Sequence, residues 1–240
     1  MSQTVILGDI HGRSIWKNII EKENPEQVIF LGDYLSTHER ISNEQQVENI
    51  LDIFKYKDEH PQTIMLRGNH DLQHLDYPWA QCSGYFPGVN KLMKEHKSEY
   101  LNKTQWLYII GNTVFSHAGI SKVWLREEMN IDPDNLTDEI LLSINELEPS
   151  KKFGFTSRDR WDIYGESPYQ PLTWIRPNTL IDVMIPGYNQ VVGHTTMGRV
   201  FNAKEKEKID NDLWLCDALG DGWYLTINEG KYTAKQYDDT

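Results

Sequence analysis

The sequence predicts an α/β sandwich of two packed sheets, and three observations carry that expectation. Short apolar runs rich in Val, Ile and Leu recur along the chain at lengths that suit buried strands. Over the first third these runs alternate with helical periodicity, an order that implies parallel pairing through crossover helices. Beyond residue 185 the runs follow one another across short turns such as Asn228-Glu229-Gly230, which reads as mostly antiparallel β structure.

The elements follow in order. Val5 to Leu7 is the first buried run. Ile15, Trp16, Ile19 and Ile20 share one face of a helix over 15–22. Val28 to Leu31 is the second run, and Val47, Ile50, Leu51 and Phe54 recur at 3.6 spacing over 43–57. Ile64 to Leu66 closes this alternating part. Leu107 to Ile110 and Val114 to Phe115 flank Gly111-Asn112, a hairpin signal. Weaker helical patterns cover 88–99, 121–129 and 137–147. Strand-like runs then occupy 190–193, 199–203, 213–217, 223–228 and 231–237, the first around Val191-Val192. Residues 72–104 and 130–176 are rich in Pro, Tyr, Trp and polar residues and lack a clear overall period. They read as insertions or lids over the strand ends. No repeat or low-complexity linker divides the chain, so 1–240 is read as a single domain.

Composition narrows the function classes. With 39% hydrophobic and 25% charged residues, the chain is an ordinary globular mix rather than a disordered or fibrous one. A net charge of −12 disfavours a nucleic-acid coat, which needs a basic face, yet leaves room for a local phosphate pocket. Cys82 and Cys216 cannot make a disulfide framework and fit reduced thiols. No apolar run approaches the length of a bilayer span, and Met1 to Thr4 lacks the basic region and apolar stretch of a signal peptide. The expectation is a cytoplasmic protein with no membrane partner.

The chemistry sits where strands end. The first run leads into Gly8-Asp9-Ile10-His11-Gly12 and the second into Gly32-Asp33. The third leads into Arg67-Gly68-Asn69-His70-Asp71. Val114-Phe115 leads into Ser116-His117-Ala118-Gly119, and Val191-Val192 into Gly193-His194-Thr195. Carboxyl ends of strands in an open α/β sheet are where ligands bind. Asp and neutral His suit first-row transition ions. Asp9 and His11 lie two apart, so an extended strand end presents both on one side. Asp33 has two oxygens and can bridge, and Asn69 offers a neutral oxygen that limits the negative charge. Asp9, His11, Asp33, Asn69, His117 and His194 are too many ligands for one four-coordinate ion with an open position. Two divalent ions, manganese first and iron, zinc or magnesium as alternatives, would use them all.

This series of motifs resembles the calcineurin-like metallophosphoesterase superfamily over residues 8–195. The resemblance implies a four-layer fold, with two packed mixed sheets flanked by helices, and a binuclear centre. One ion would take Asp9, His11 and Asp33, and the other Asp33, Asn69, His117 and His194. Many phosphodiesterases and nucleases of the superfamily end in Gly-His-x-His. Here Gly193-His194-Thr195-Thr196 lacks the second His, which resembles the branch of phosphoprotein phosphatases and diadenosine tetraphosphate hydrolases. That branch implies phosphomonoesters or phosphoanhydrides as substrates: a phosphorylated small molecule, a nucleotide or a phosphoprotein. The branch usually reads Gly-Asp-x-x-Asp-Arg-Gly at its second motif. Ser36 stands here for the Asp that pairs with the catalytic His, and Thr37 for a phosphate-binding Arg. Asp71, His38 or Glu39 are the candidates to compensate.

A mechanism follows. The two ions would supply a hydroxide for in-line attack on phosphorus. His70 directly follows the ligand Asn69 and is expected to act as general acid. Arg67, two residues before Asn69, and Arg176, in a segment that resembles the family's arginine-delivering one, are expected to bind phosphate. Arg158 and Arg160 are weaker candidates. The aromatics from Tyr77 to Phe86 are read as packing rather than as a nucleobase platform. The rival readings are a non-catalytic binding scaffold on the same fold, and a phosphodiesterase or nuclease.

Overall fold

The computed structural model describes residues 3–37, 39–156 and 164–238. Among these described residues ten strands form two five-stranded mixed sheets. They are β1 (Gln3–Leu7), β2 (Gln27–Phe30), β3 (Ile64–Met65), β4 (Leu107–Ile110), β5 (Thr113–Ser116), β6 (Asn189–Val192), β7 (Phe201–Asn202), β8 (Leu213–Leu215), β9 (Trp223–Asn228) and β10 (Lys231–Gln236). The described residues also form the α-helices α1 (Ile15–Glu23), α2 (Asn43–Glu59), α3 (Asn69–Leu72), α4 (Pro87–Met93), α5 (Lys97–Lys103), α6 (Lys122–Met129), α7 (Asp138–Leu142) and α8 (Pro177–Val183). One sheet runs β10-β9-β1-β2-β3 and the other β4-β5-β6-β8-β7.

Alternation along the strands explains the layers. Val5, Leu7, Val28 and Phe30 join Trp16 and Ile19 of α1 and Val47, Ile50 and Ile53 of α2 in one core. Their neighbours Ile6 and Ile29, with Leu31 just past the end of β2, face the other way and meet Phe115, Val191 and Cys216 from the second sheet. On that sheet's outer side Val192, Leu213 and Leu215 pack on Leu180 of α8. A period of two therefore places one face of each strand on helices and the other on the opposite sheet. The six apolar runs read as strands all lie in or beside strands. Helix α2 begins at a capping box in which Ser42 Oγ accepts from Gln45 N and the Gln45 side chain accepts from Ser42 N.

One expectation needs correction. The C-terminal part is not uniformly antiparallel: β9 and β10 are, but β6 pairs in parallel with both β5 and β8. Within residues 72–104, α4 and α5 fall on and just past the expected helical pattern over 88–99, with Val89, Met93 and Tyr100 fully buried. The short helices α7 and α8 likewise lie within or just past the second insertion. The Gly111-Asn112 hairpin is present, with Ile110 opposite Thr113. Arg158, Arg160 and His38 lie outside the described residues. No helix among the described residues is long and apolar enough to cross a membrane.

Candidate metal centre

The ends of β1, β2, β3, β5 and β6 bring all six sequence-derived ligands into one buried cluster. Two groups of side chains share it. Asp9, His11 and Asp33 form one, and Asp33, His117 and His194 the other, each with ligand atoms within 4.8 Å of one another. Asn69 joins the second group, its Oδ1 lying 3.0 Å from His117 Nε2 and 3.0 Å from His194 Nδ1. Backbone geometry makes this convergence possible. His11, Asp33 and His194 hold left-handed φ values of 47°, 49° and 64°. Such residues are costly by about 1–3 kcal/mol each and persist only where surrounding contacts over-determine them. Here those contacts are visible: His11 N donates to the Asp33 carbonyl at 2.7 Å, and His194 N donates to Asp9 Oδ1 at 2.9 Å. A Cβ on Gly68 would collide with Asp33 Oδ1, and one on Gly193 with Asp9 Oδ1. The glycines of these two motifs are thus required by the carboxylates of the first two.

Each histidine is oriented by a backbone carbonyl. His11 Nδ1 donates to Leu35 O at 2.9 Å, His117 Nδ1 to Leu31 O at 2.9 Å, and His194 Nε2 to Trp174 O at 3.0 Å. The opposite ring nitrogen of each then turns toward the carboxylates and Asn69, the arrangement that fixes the tautomer of a metal-ligating histidine. In a neutral ring that nitrogen carries a lone pair. His194 Nδ1 and Asn69 Oδ1 face each other at 3.0 Å beside His117 Nε2. Burial, then the neighbouring His117 charge, holds His194 well below its ordinary range. At His117 burial alone would lower the pKa, but Asp33 against Nε2, with Asp9 behind it, raises it to about 10. Asp33 would be raised by burial, yet His117 and then His70 hold it well below the usual carboxylate range. Asp9 is raised well above it, by burial and then by Asp217. This convergence of nitrogen and oxygen acceptors fits divalent first-row ions.

A family model for calcineurin-like phosphoesterases matches residues 3–217, which span every one of these residues. The chain belongs to the calcineurin-like phosphoesterase family. Among solved structures, a metallophosphoesterase from Sphaerobacter thermophilus is similar at 12% identity and a TM-score of 0.50, over 98% of this chain and 88% of that one. A hypothetical protein from Pyrococcus horikoshii OT3 is similar at 12% identity and a TM-score of 0.53, over 100% of this chain and 90% of that one. These likenesses bear on the fold. No curated protein matches the chain.

The remaining site residues of this phosphoesterase divide. His70 lies at the cluster, its ring 5.4 Å from that of His11 and its backbone N–H donating to Asp33 Oδ1 at 2.8 Å. Arg176 reaches the same edge: Nη1 donates to Thr195 Oγ1 at 3.1 Å and Nε to Tyr164 O at 3.0 Å. Arg67 does not. Its Nε donates to Thr104 Oγ1, its Nη2 to Leu101 O and Thr104 O, and it lies 4.7 Å over the Trp106 ring. The guanidinium braces the end of α5, and two residues of spacing on a strand end did not determine which way the long side chain turned. Asp71 does not pair with His70 through any of its described bonds. Its Oδ1 accepts from Tyr34 N and Leu35 N, and its Oδ2 from Gly68 N and Tyr100 Oη, so it ties the β2 and β3 loops together. Glu39 pairs with Arg13. Tyr85, exposed at the surface, stacks on His74, and the half-buried Tyr77 tilts against Trp79.

Two participants were missed. Asp217, buried at the end of β8, accepts from Thr196 Oγ1 at 2.9 Å. The signal was available, since Leu215-Cys216-Asp217 repeats the strand-then-Asp pattern without a flanking glycine. Gln73 contacts His70 Nδ1 at 3.2 Å, and a glutamine one turn after a motif carries no sequence signal of its own.

Proposed function

We propose that this chain is a binuclear metal-dependent phosphatase hydrolysing phosphomonoesters or phosphoanhydrides. The observation that carries the reading is the shared membership of Asp33 in both ligand groups. Asp9, His11 and Asp33 would hold one ion, and Asp33, Asn69, His117 and His194 the other. When bound, the ions supply Lewis acidity to the phosphoryl oxygens and a nucleophilic water for attack on phosphorus. His70, beside His11, serves the leaving oxygen. Arg176 contributes the guanidinium that binds the phosphate. Thr196, whose hydroxyl is committed to Asp217, offers no further nitrogen ligand, which favours monoesters and anhydrides over diesters. Manganese is the first choice of metal. A cytoplasmic setting suits two free thiols, and the substrate is a phosphorylated small molecule, nucleotide or phosphoprotein.

The test is hydrolysis of p-nitrophenyl phosphate beside bis(p-nitrophenyl) phosphate, with manganese and with chelator. Manganese-dependent cleavage favouring the monoester is the expected result. Preference for the diester would place the chain among phosphodiesterases. Stoichiometric metal with no turnover of either ester would favour a binding scaffold.

A further inference from the structure

Beside the metal centre lies a cavity of about 520 Å³, a size that suits a small-molecule site. It begins at Gly12, the residue after His11, and is walled by the start of α1, one face of α2 and the 39–41 loop. Its lining sets three cations, Arg13, Lys17 and Arg40, against three acids, Glu39, Glu48 and Asp52. Two pairs cancel: Lys17 Nζ meets Asp52 Oδ2, and Arg13 Nε meets Glu39 Oε1, each at 2.5 Å. Arg13 Nη1 donates to the carbonyl of Asp9 at 3.3 Å, so this guanidinium stands between the ligand cluster and the cavity. Its Nη2 lies 3.3 Å from where a Cβ on Gly220 would sit. The charges left over are Arg40 and Glu48, whose side chains have neither hydrogen bond nor ion pair among the described residues. Gln46, buried on α2, holds the loop that carries Arg40. Its Oε1 accepts from Ser36 N at 2.9 Å and Thr37 N at 3.3 Å, and its Nε2 donates to Ile41 O at 3.3 Å. Among the described residues no aromatic side chain lines the cavity.

We infer that this cavity recognises the non-reacting part of the substrate, and that the part it fits is a polyol carrying a second phosphate. Arg40 offers its full set of N–H donors with no internal partner, and a guanidinium fork matches phosphate oxygens. Arg13 Nη2 adds a donor on the side toward the metal centre. An ionised Glu48 can only accept, which suits the hydroxyl groups of a polyol. A nucleobase finds no ring to stack on. The inference rests on the phosphoesterase reading and names the substrate class of that site: a polyol bisphosphate, with one phosphate at the metal centre and the other at Arg40. Hydrolysis breaks the bond between phosphorus and the polyol oxygen, which leaves with its electron pair and takes a proton from the attacking water. The products are inorganic phosphate and the polyol monophosphate.

Two measurements test it. The first is turnover of hexose 1,6-bisphosphates beside the matching 6-monophosphates, with manganese. The native chain should favour the bisphosphate by about tenfold or more in kcat/KM, and Arg40→Ala should remove most of that preference. Arg40 is exposed, so its replacement leaves the core untouched. Equal kcat/KM for the two esters, or a preference that survives in Arg40→Ala, would overturn the inference. The second needs no turnover: calorimetric binding of hexitol 1,6-bisphosphonate, hexitol monophosphonate and 1,6-hexanediol bisphosphonate to the manganese-loaded protein. The hexitol bisphosphonate should bind tightest. Its affinity should fall by about tenfold when one phosphonate is removed or in Arg40→Ala, and by a smaller factor when the hydroxyls are removed or in Glu48→Ala. Equal binding of the monophosphonate and bisphosphonate would sink the anion site, and equal binding of the hexitol and hexanediol compounds would sink the polyol assignment. Tight, Arg40-dependent binding without turnover of any phosphate ester would support the recognition site and remove the phosphoesterase reading instead.

Discussion

Asp33 is where the residue scale decides most. Its Oδ1 accepts from His70 N, its Oδ2 lies 3.3 Å from His117 Nε2, and its carbonyl accepts from His11 N. One side chain thus joins both candidate ligand groups and holds the backbone of His70. Asp33→Asn keeps the shape but removes the charge and one bridging oxygen. It is expected to lower metal content at both positions and to reduce kcat by at least about a hundredfold. Elemental analysis beside kinetics checks this, and loss of one ion with the other retained would exclude a shared ligand. The clustering of these six side chains was legible because each is a polar residue set against glycine or alanine at the end of an apolar run. The turning of Arg67 and the pairing of Gln73 were not. Both depend on partners contributed by other segments, Thr104 and Leu101 for one, Cys82 and Ser83 for the other.

At the scale of elements, the site is a set of strand ends pressed so close that some side chains have no room for a Cβ. A Cβ at Gly68 would meet the backbone and carboxylate of Asp33, and one at Gly193 the carboxylate of Asp9. Gly68→Ala and Gly193→Ala are therefore expected to act on the neighbouring strand's ligand rather than on their own. Each should weaken divalent-ion affinity by about tenfold to a hundredfold. Calorimetric manganese titration checks the loss, and far-UV circular dichroism should remain native. Unchanged affinity in both would mean that the strand ends can separate freely. Strand positions were legible from apolar runs, since Val5, Ile6 and Leu7 are all fully buried. The parallel pairing of β6 with β8 was not. The intervening β7 pairs only through Phe201 and Asn202, so sequence order gave no sign that β8 returns to β6.

At the scale of the whole molecule, ionisable groups buried between two sheets link folding, proton binding and metal binding. Between pH 6.5 and 8 these groups divide by sign. Burial holds His11, His74 and His194 below the ordinary 6.5, so they are neutral in the folded chain while the unfolded chain still sheds part of their protons above pH 6.5, a slope of opposite sign that fades toward pH 8. Asp33, held well below 3.8, is ionised in both. Asp71 behaves oppositely: burial, and then the charge of Asp33, raises it to about 8 from 3.8. His117 is raised to about 10 from 6.5 by Asp33 and Asp9, against the effect of burial. Asp71 and His117 hold their protons across most of the interval and outweigh the three lowered histidines, so stability is lost as pH rises. The metal-free protein should be less stable at pH 8 than at pH 6.5. Divalent ions should reverse that trend, because they require a deprotonated His117 and bind only the assembled cluster. Urea denaturation across the interval, in chelator and in manganese, checks both parts. The midpoint should fall with pH in chelator and hold or rise in manganese. A midpoint that rises with pH in chelator would mean that the cluster keeps no proton at Asp71 or His117.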